Sequence, residues 1–124
     1  MDLLKIEPIL NLEKILVKRA EATFFVRVSS NKCTISNVWP GDLLIVDKSL
    51  DPANQGLAIV IWKEKFELRR LIIEENRIFL NNDLNPEVRI DTRFDPSFQV
   101  WGVVTFVIHT MVTTANRINW RNNK

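Results

Sequence analysis

The sequence predicts a mostly β domain of twisted sheets with one short helix near its start. Three observations lead there. Short runs of branched and aromatic residues recur at close spacing, with turn residues between them. A period of two runs through Lys65 to Ile73, where Phe66, Leu68 and Arg70 alternate with Glu67, Arg69 and Leu71. Helical spacing of apolar residues is found at Leu12, Ile15 and Leu16.

At 124 residues the chain fits one domain, and its 46% hydrophobic and 26% charged content is that of an ordinary globular protein. No apolar run approaches the ~20 residues of a membrane span. The early Asp2 and the missing apolar core argue against a signal peptide. A single cysteine, Cys33, excludes an internal disulfide and fits a reducing cytoplasm. With the lone His109 it leaves too few ligands for a zinc site, and no cofactor is expected. The net charge of +2 is too small to argue nucleic-acid binding by itself.

Taken in order, Pro8 blocks a helix through residues 1 to 10, and Asn11 is placed to cap a helix running to about Arg19. That helix is expected to cover one end of a sheet. Thr23 to Val28 reads as a strand by its branched and aromatic content. Ser29 to Asn37 is polar and reads as a loop or a single helical turn. Trp39-Pro40-Gly41-Asp42 is a tight turn that feeds the apolar run Leu43 to Val46, a buried strand ending near Lys48. Asp51 to Gly56 is a turn. Leu57 to Trp62 and Lys65 to Ile73 are strands joined at Lys63-Glu64. Arg77 to Leu80 is another strand, Asn81 to Pro86 a loop, and Val88 to Ile90 a short edge strand. Pro96 precedes a long apolar strand from about Phe98 to Val112. The organisation expected is an arm and helix at 1–21, a β core at 22–112 and a basic tail at 113–124.

The run Gly41-Asp42-Leu43-Leu44-Ile45-Val46-Asp47 resembles a characteristic strand of the LexA/UmuD family, the Ser–Lys self-cleaving proteins of the bacterial SOS response to DNA damage. Asn11 to Leu16 and Ala22 to Val28 resemble the UmuD segment that leads to the nucleophile. Phe66-Glu67-Leu68-Arg69-Arg70-Leu71 resembles the strand carrying the catalytic lysine, and Phe98 to Val104 the last long strand. The resemblance covers about residues 9 to 112 and implies the peptidase-core fold of that family.

It implies a site as well. The family's serine attacks a peptide carbonyl while a neutral, desolvated lysine takes its proton. The family's Gly-Asp-Ser-Met is replaced here by Ser30-Asn31-Lys32-Cys33. Counting back from Asp42 without a gap puts Lys32 at the nucleophile's place, and Arg69 falls at the base's place. An arginine, with a pKa above ~12, cannot serve as that base. Both halves of the dyad are therefore lost, and the resemblance points to a pseudo-peptidase. Cys33 is the alternative nucleophile, one residue out of register and facing the same unsuitable base. Glu67, two residues from Arg69 on one strand face, is the compensating charge expected there. Restoring both groups with Lys32→Ser and Arg69→Lys is expected to restore cleavage of an added Ala-Gly peptide.

Relatives cleave themselves at Ala-Gly or Cys-Gly. The three glycines here follow Pro40, Gln55 and Trp101, so the chain resembles a protein already in the processed state. By that resemblance it is a homodimer and an accessory subunit of an error-prone DNA polymerase of the UmuC type in translesion synthesis. The dimer contacts fall at positions matching Ile59, Phe66 and Trp101, with the last strand expected to present an unpaired edge. Nucleic acid would be bound weakly at most, through the tail residues Arg117, Trp120, Arg121 and Lys124. Three rival functions are the oligomerisation half of a LexA- or phage-type repressor, weakened by the missing helix-turn-helix, an active peptidase using Cys33, and a recruited scaffold, for instance one interfering with a host's damage response.

Overall fold

A computed structural model describes residues 3–29 and 35–111. Among the described residues seven strands form one sheet: β1 Thr23–Arg27, β2 Leu43–Asp47, β3 Leu57–Trp62, β4 Lys65–Glu74, β5 Arg77–Asn82, β6 Asn85–Asp91 and β7 Gln99–Ile108. Their order across the sheet is β1-β2-β7-β3-β4-β5-β6, and all six neighbouring pairs are antiparallel. The mostly β class and the short N-terminal helix read from the sequence are those of the structure.

Three differences have physical reasons. The helix, α1 Ile9–Leu16, starts directly after Pro8, whose extended backbone serves as N-cap; Asn11 lies inside it. Ile9, Leu12 and Ile15 are all exposed, so the helix does not bury an apolar stripe against the sheet. The segment Asn81 to Pro86 is no loop: β5 runs to Asn82, Asp83-Leu84 make the turn, and β6 begins at Asn85. Pro86 is tolerated because β6 is an edge strand. The largest correction concerns β7, which lies between β2 and β3 and presents no free edge. Sequence order alone gives no sheet order.

The sheet carries a core on each face. One holds Ile35, Val38, Leu44, Val46 and Ile59, with Val26, Leu68 and Val107 packed against it. The other holds Ala58, Val60, Trp62, Leu71 and Leu80. Strand β3 serves both, because alternate residues point to opposite faces: Ile59 to the first, Ala58 and Val60 to the second. A bulge at Trp101, between Val100 opposite Val60 and Gly102 opposite Ile59, re-aims β7 as it crosses from one core to the other. Gly102 is required there, since a Cβ would lie 2.5 Å from Val46 Cγ1.

Among the described residues no helix is long and apolar enough to cross a membrane, and no group of His, Cys, Asp or Glu could hold a metal ion.

Candidate functional site

The stretch on which the resemblance places a nucleophile lies between Val28 and Ile35. Its flanks are pinned. Val28 donates to the Asp42 carbonyl at 2.9 Å and accepts from the Gly41 amide at 2.7 Å, while Ile35 and Val38 sit in the first core. The turn that follows closes with the Asp42 amide on the Trp39 carbonyl at 3.0 Å. Pro40 and Gly41, at φ +92°, occupy the second and third positions, as a type II turn requires. Lys32 and Cys33 lie outside the described residues, as does the tail with Trp120.

Asp42 is buried, accepts from the Trp39 amide at 2.7 Å and lies 2.8 Å from His109 Nδ1. Burial pushes its carboxyl up, but the Trp39 amide and the His109 imidazole outweigh burial and hold it below the ordinary range. The His109 ring stacks on Trp39 with centroids 4.7 Å apart. Sequence reasoning missed this cluster, because residues 39 and 109 meet only through the pairing of β2 with β7.

On β4 the residues assigned to the base and its counter-charge are together. Arg69 donates to Glu67 Oε1 from Nε at 2.9 Å and from Nη2 at 2.7 Å. The two project to the face of the second core, opposite Ala58 and Val60. Their side chains are only 19% and 32% exposed. The next residue, Arg70, points to the other face and is equally committed. It grips Asp83 with Nε at 2.8 Å and Nη2 at 2.9 Å, and donates from Nη1 to the Gln55 carbonyl at 2.8 Å. Asp83 also accepts the Ser36 amide at 2.8 Å, so Arg70, through Asp83, anchors the start of the segment Ile35 to Val38. Arg70 and the Ser36 amide hold the Asp83 carboxyl below its ordinary range against the effect of burial. Position 70 was passed over in the sequence, since its partner is fixed by register rather than by spacing.

The three interface candidates separate. Phe66 is 65% exposed and meets Trp101 edge-on at 5.8 Å; Phe24 meets the same indole at 5.2 Å. Lys48 Nζ stands 4.6 Å from the centre of Trp101. Ile59 does not join them at the surface: it is 6% exposed and belongs to the first core.

Residues 2–105 match the family model described as Peptidase S24-like. The chain belongs to that family. This is the LexA/UmuD family that the strand motifs resemble, and curated relatives agree. The chain is 32% identical to Protein MucA of Salmonella typhimurium over 98 residues, 77% of this chain and 66% of that protein. It is 32% identical to Protein ImpA of Shigella flexneri over 100 residues, 81% of this chain and 68% of that protein. With Protein SamA of Salmonella typhimurium it shares 31% over 105 residues, 85% and 72% respectively. The chain thus spans about two thirds of the length of these relatives.

Proposed function

We propose that this chain is a non-catalytic, UmuD-like member of its family: a homodimeric accessory subunit of an error-prone DNA polymerase of the UmuC type, acting in the cytoplasm in SOS mutagenesis. The single observation behind the non-catalytic reading is Arg69. On the family's register it stands where the base belongs, it cannot accept a proton, and its guanidinium is occupied by Glu67. The working body is the β core at 22–112, with the arm and helix at 1–21 and the basic tail at 113–124 as appendages. The dimer is built on the exposed Phe66 and on Trp101, which is half-buried beside it against the first core.

The peptidase question is tested by time-resolved mass spectrometry of the wild type with an Ala-Gly peptide, at neutral and alkaline pH. No cleavage is expected. Cleavage that vanishes in Cys33→Ala would overturn the reading and make Cys33 the nucleophile. The polymerase question is tested by primer extension across an abasic site with a UmuC-type polymerase. Bypass is expected to rise when the chain is added, and bypass that is unchanged sinks the partnership.

A further inference from the structure

We propose that Glu67 is a silencing residue: it commits position 69 to a cation, so that even a lysine restored there would stay protonated. This rests on the reading of position 69 as the family's base position.

The geometry carries it. Glu67 and Arg69 share one face of β4, and both nitrogen contacts end on the same carboxylate oxygen, at 2.7 and 2.9 Å. Across the ladder their neighbours are Val60 and Ala58, both fully buried and apolar. On the β5 side the ladder with β4 begins at Arg70 and Asn81, so Glu67 and Arg69 lie beyond it, with the uncharged Asn82 the next residue of β5. The remaining charge on this face of β4 is Lys65, opposite Trp62. A carboxylate at hydrogen-bond distance over an apolar floor attracts a cation more strongly than it would in open water. A lysine that acts as a base needs the reverse: apolar surroundings that penalise the ammonium and no adjacent anion to stabilise it. A nearby opposite charge shifts a proton equilibrium by one to three units, roughly tenfold to a thousandfold in the neutral fraction.

Silencing at the base position therefore has two parts, at positions 69 and 67. The pair Lys32→Ser/Arg69→Lys alone, expected from sequence to cut, leaves the new amine charged; Glu67 must change too.

The test reads protonation directly and does not depend on cleavage. Full-length Arg69→Lys and Arg69→Lys/Glu67→Gln are labelled competitively with acetic anhydride between pH 7 and pH 11, and each amine is followed by peptide mass spectrometry. The rate for the amine at position 69 at pH 8, divided by its own rate at pH 11, cancels accessibility. That ratio is expected to rise about three- to fivefold when Glu67 is neutralised and the amine returns to the ordinary lysine range, while Lys63 is unchanged. Glu67→Thr, which suits a strand, should act like Glu67→Gln and serves if the latter does not fold. Equal ratios with and without the carboxylate overturn the proposal and leave the inactive reading of the wild type standing. Peptide cleavage by the wild type would do the opposite.

Discussion

Asp83 ties together three parts of the chain that are distant in sequence: the Arg70 guanidinium, through it the Gln55 carbonyl, and the Ser36 amide. Its carboxyl is held low in the folded state, so its contribution to stability is present above its unfolded pKa and disappears as pH falls through the folded one. Asp83→Asn should thus cost about 2 kcal/mol at pH 7, the scale of charged hydrogen bonds in a half-buried site. The gap from wild type should narrow as pH falls below the ordinary aspartate pKa of about 3.9 and close only once the folded carboxyl, which is held lower, is protonated too. Urea titrations at pH 7 and pH 3 measure this, and a gap of the same size at both would refute it. The Glu67–Arg69 contact was legible from the period of two over Phe66 to Leu71, which puts both on one strand face. The Arg70–Asp83 clasp was not, because its two residues lie in different strands and meet only once register is fixed.

At the scale of elements, two-residue hairpins shape the right half of the sheet. Lys63-Glu64 and Glu75-Asn76 both take positive φ, at 50° and 65° and at 52° and 64°. Such turns match strand twist but favour Asn-Gly, since a side chain in the left-handed region crowds its own backbone. Glu75→Asn with Asn76→Gly should stabilise the protein by about 1 kcal/mol, raising the melting temperature by about 4 °C. A melting temperature unchanged or lowered would count against the turn geometry. Gly102→Ala acts in the other direction. Its Cβ would strike Val46, which has no exposed surface and no room to move, so a loss of about 1–3 kcal/mol is expected in the same melts. The strands β1 to β5 were legible because branched runs and punctuation coincide there. The position of β7 was not, for no local signal says that the last strand inserts between β2 and β3.

At the scale of the whole molecule, the question is what covers its apolar surface. Phe24, Phe66 and Trp101 form one aromatic patch beside Lys48, and Leu3, Leu4, Ile6 and Ile9 stand almost fully exposed in the arm. A cluster of aromatic side chains at the surface is a common mark of an interaction site. The edge-strand argument for a dimer has gone, since β7 is paired on both sides, so the case rests on this patch. A large aromatic next to a cation in a symmetric interface is a typical energetic centre, because both are desolvated when the copies close. Sedimentation at micromolar concentration is therefore expected to show a dimer. Phe66→Glu should weaken it at least tenfold, the loss expected of a residue at that centre, and Trp101→Ala should weaken it similarly. Ile59→Ala should behave differently, lowering folding stability by about 2–5 kcal/mol with the dissociation constant of the folded protein unchanged. That contrast separates interface from core, which the sequence had grouped together. A monomer at these concentrations, or a dimer indifferent to both aromatic substitutions, would move the interface away from this face of the sheet.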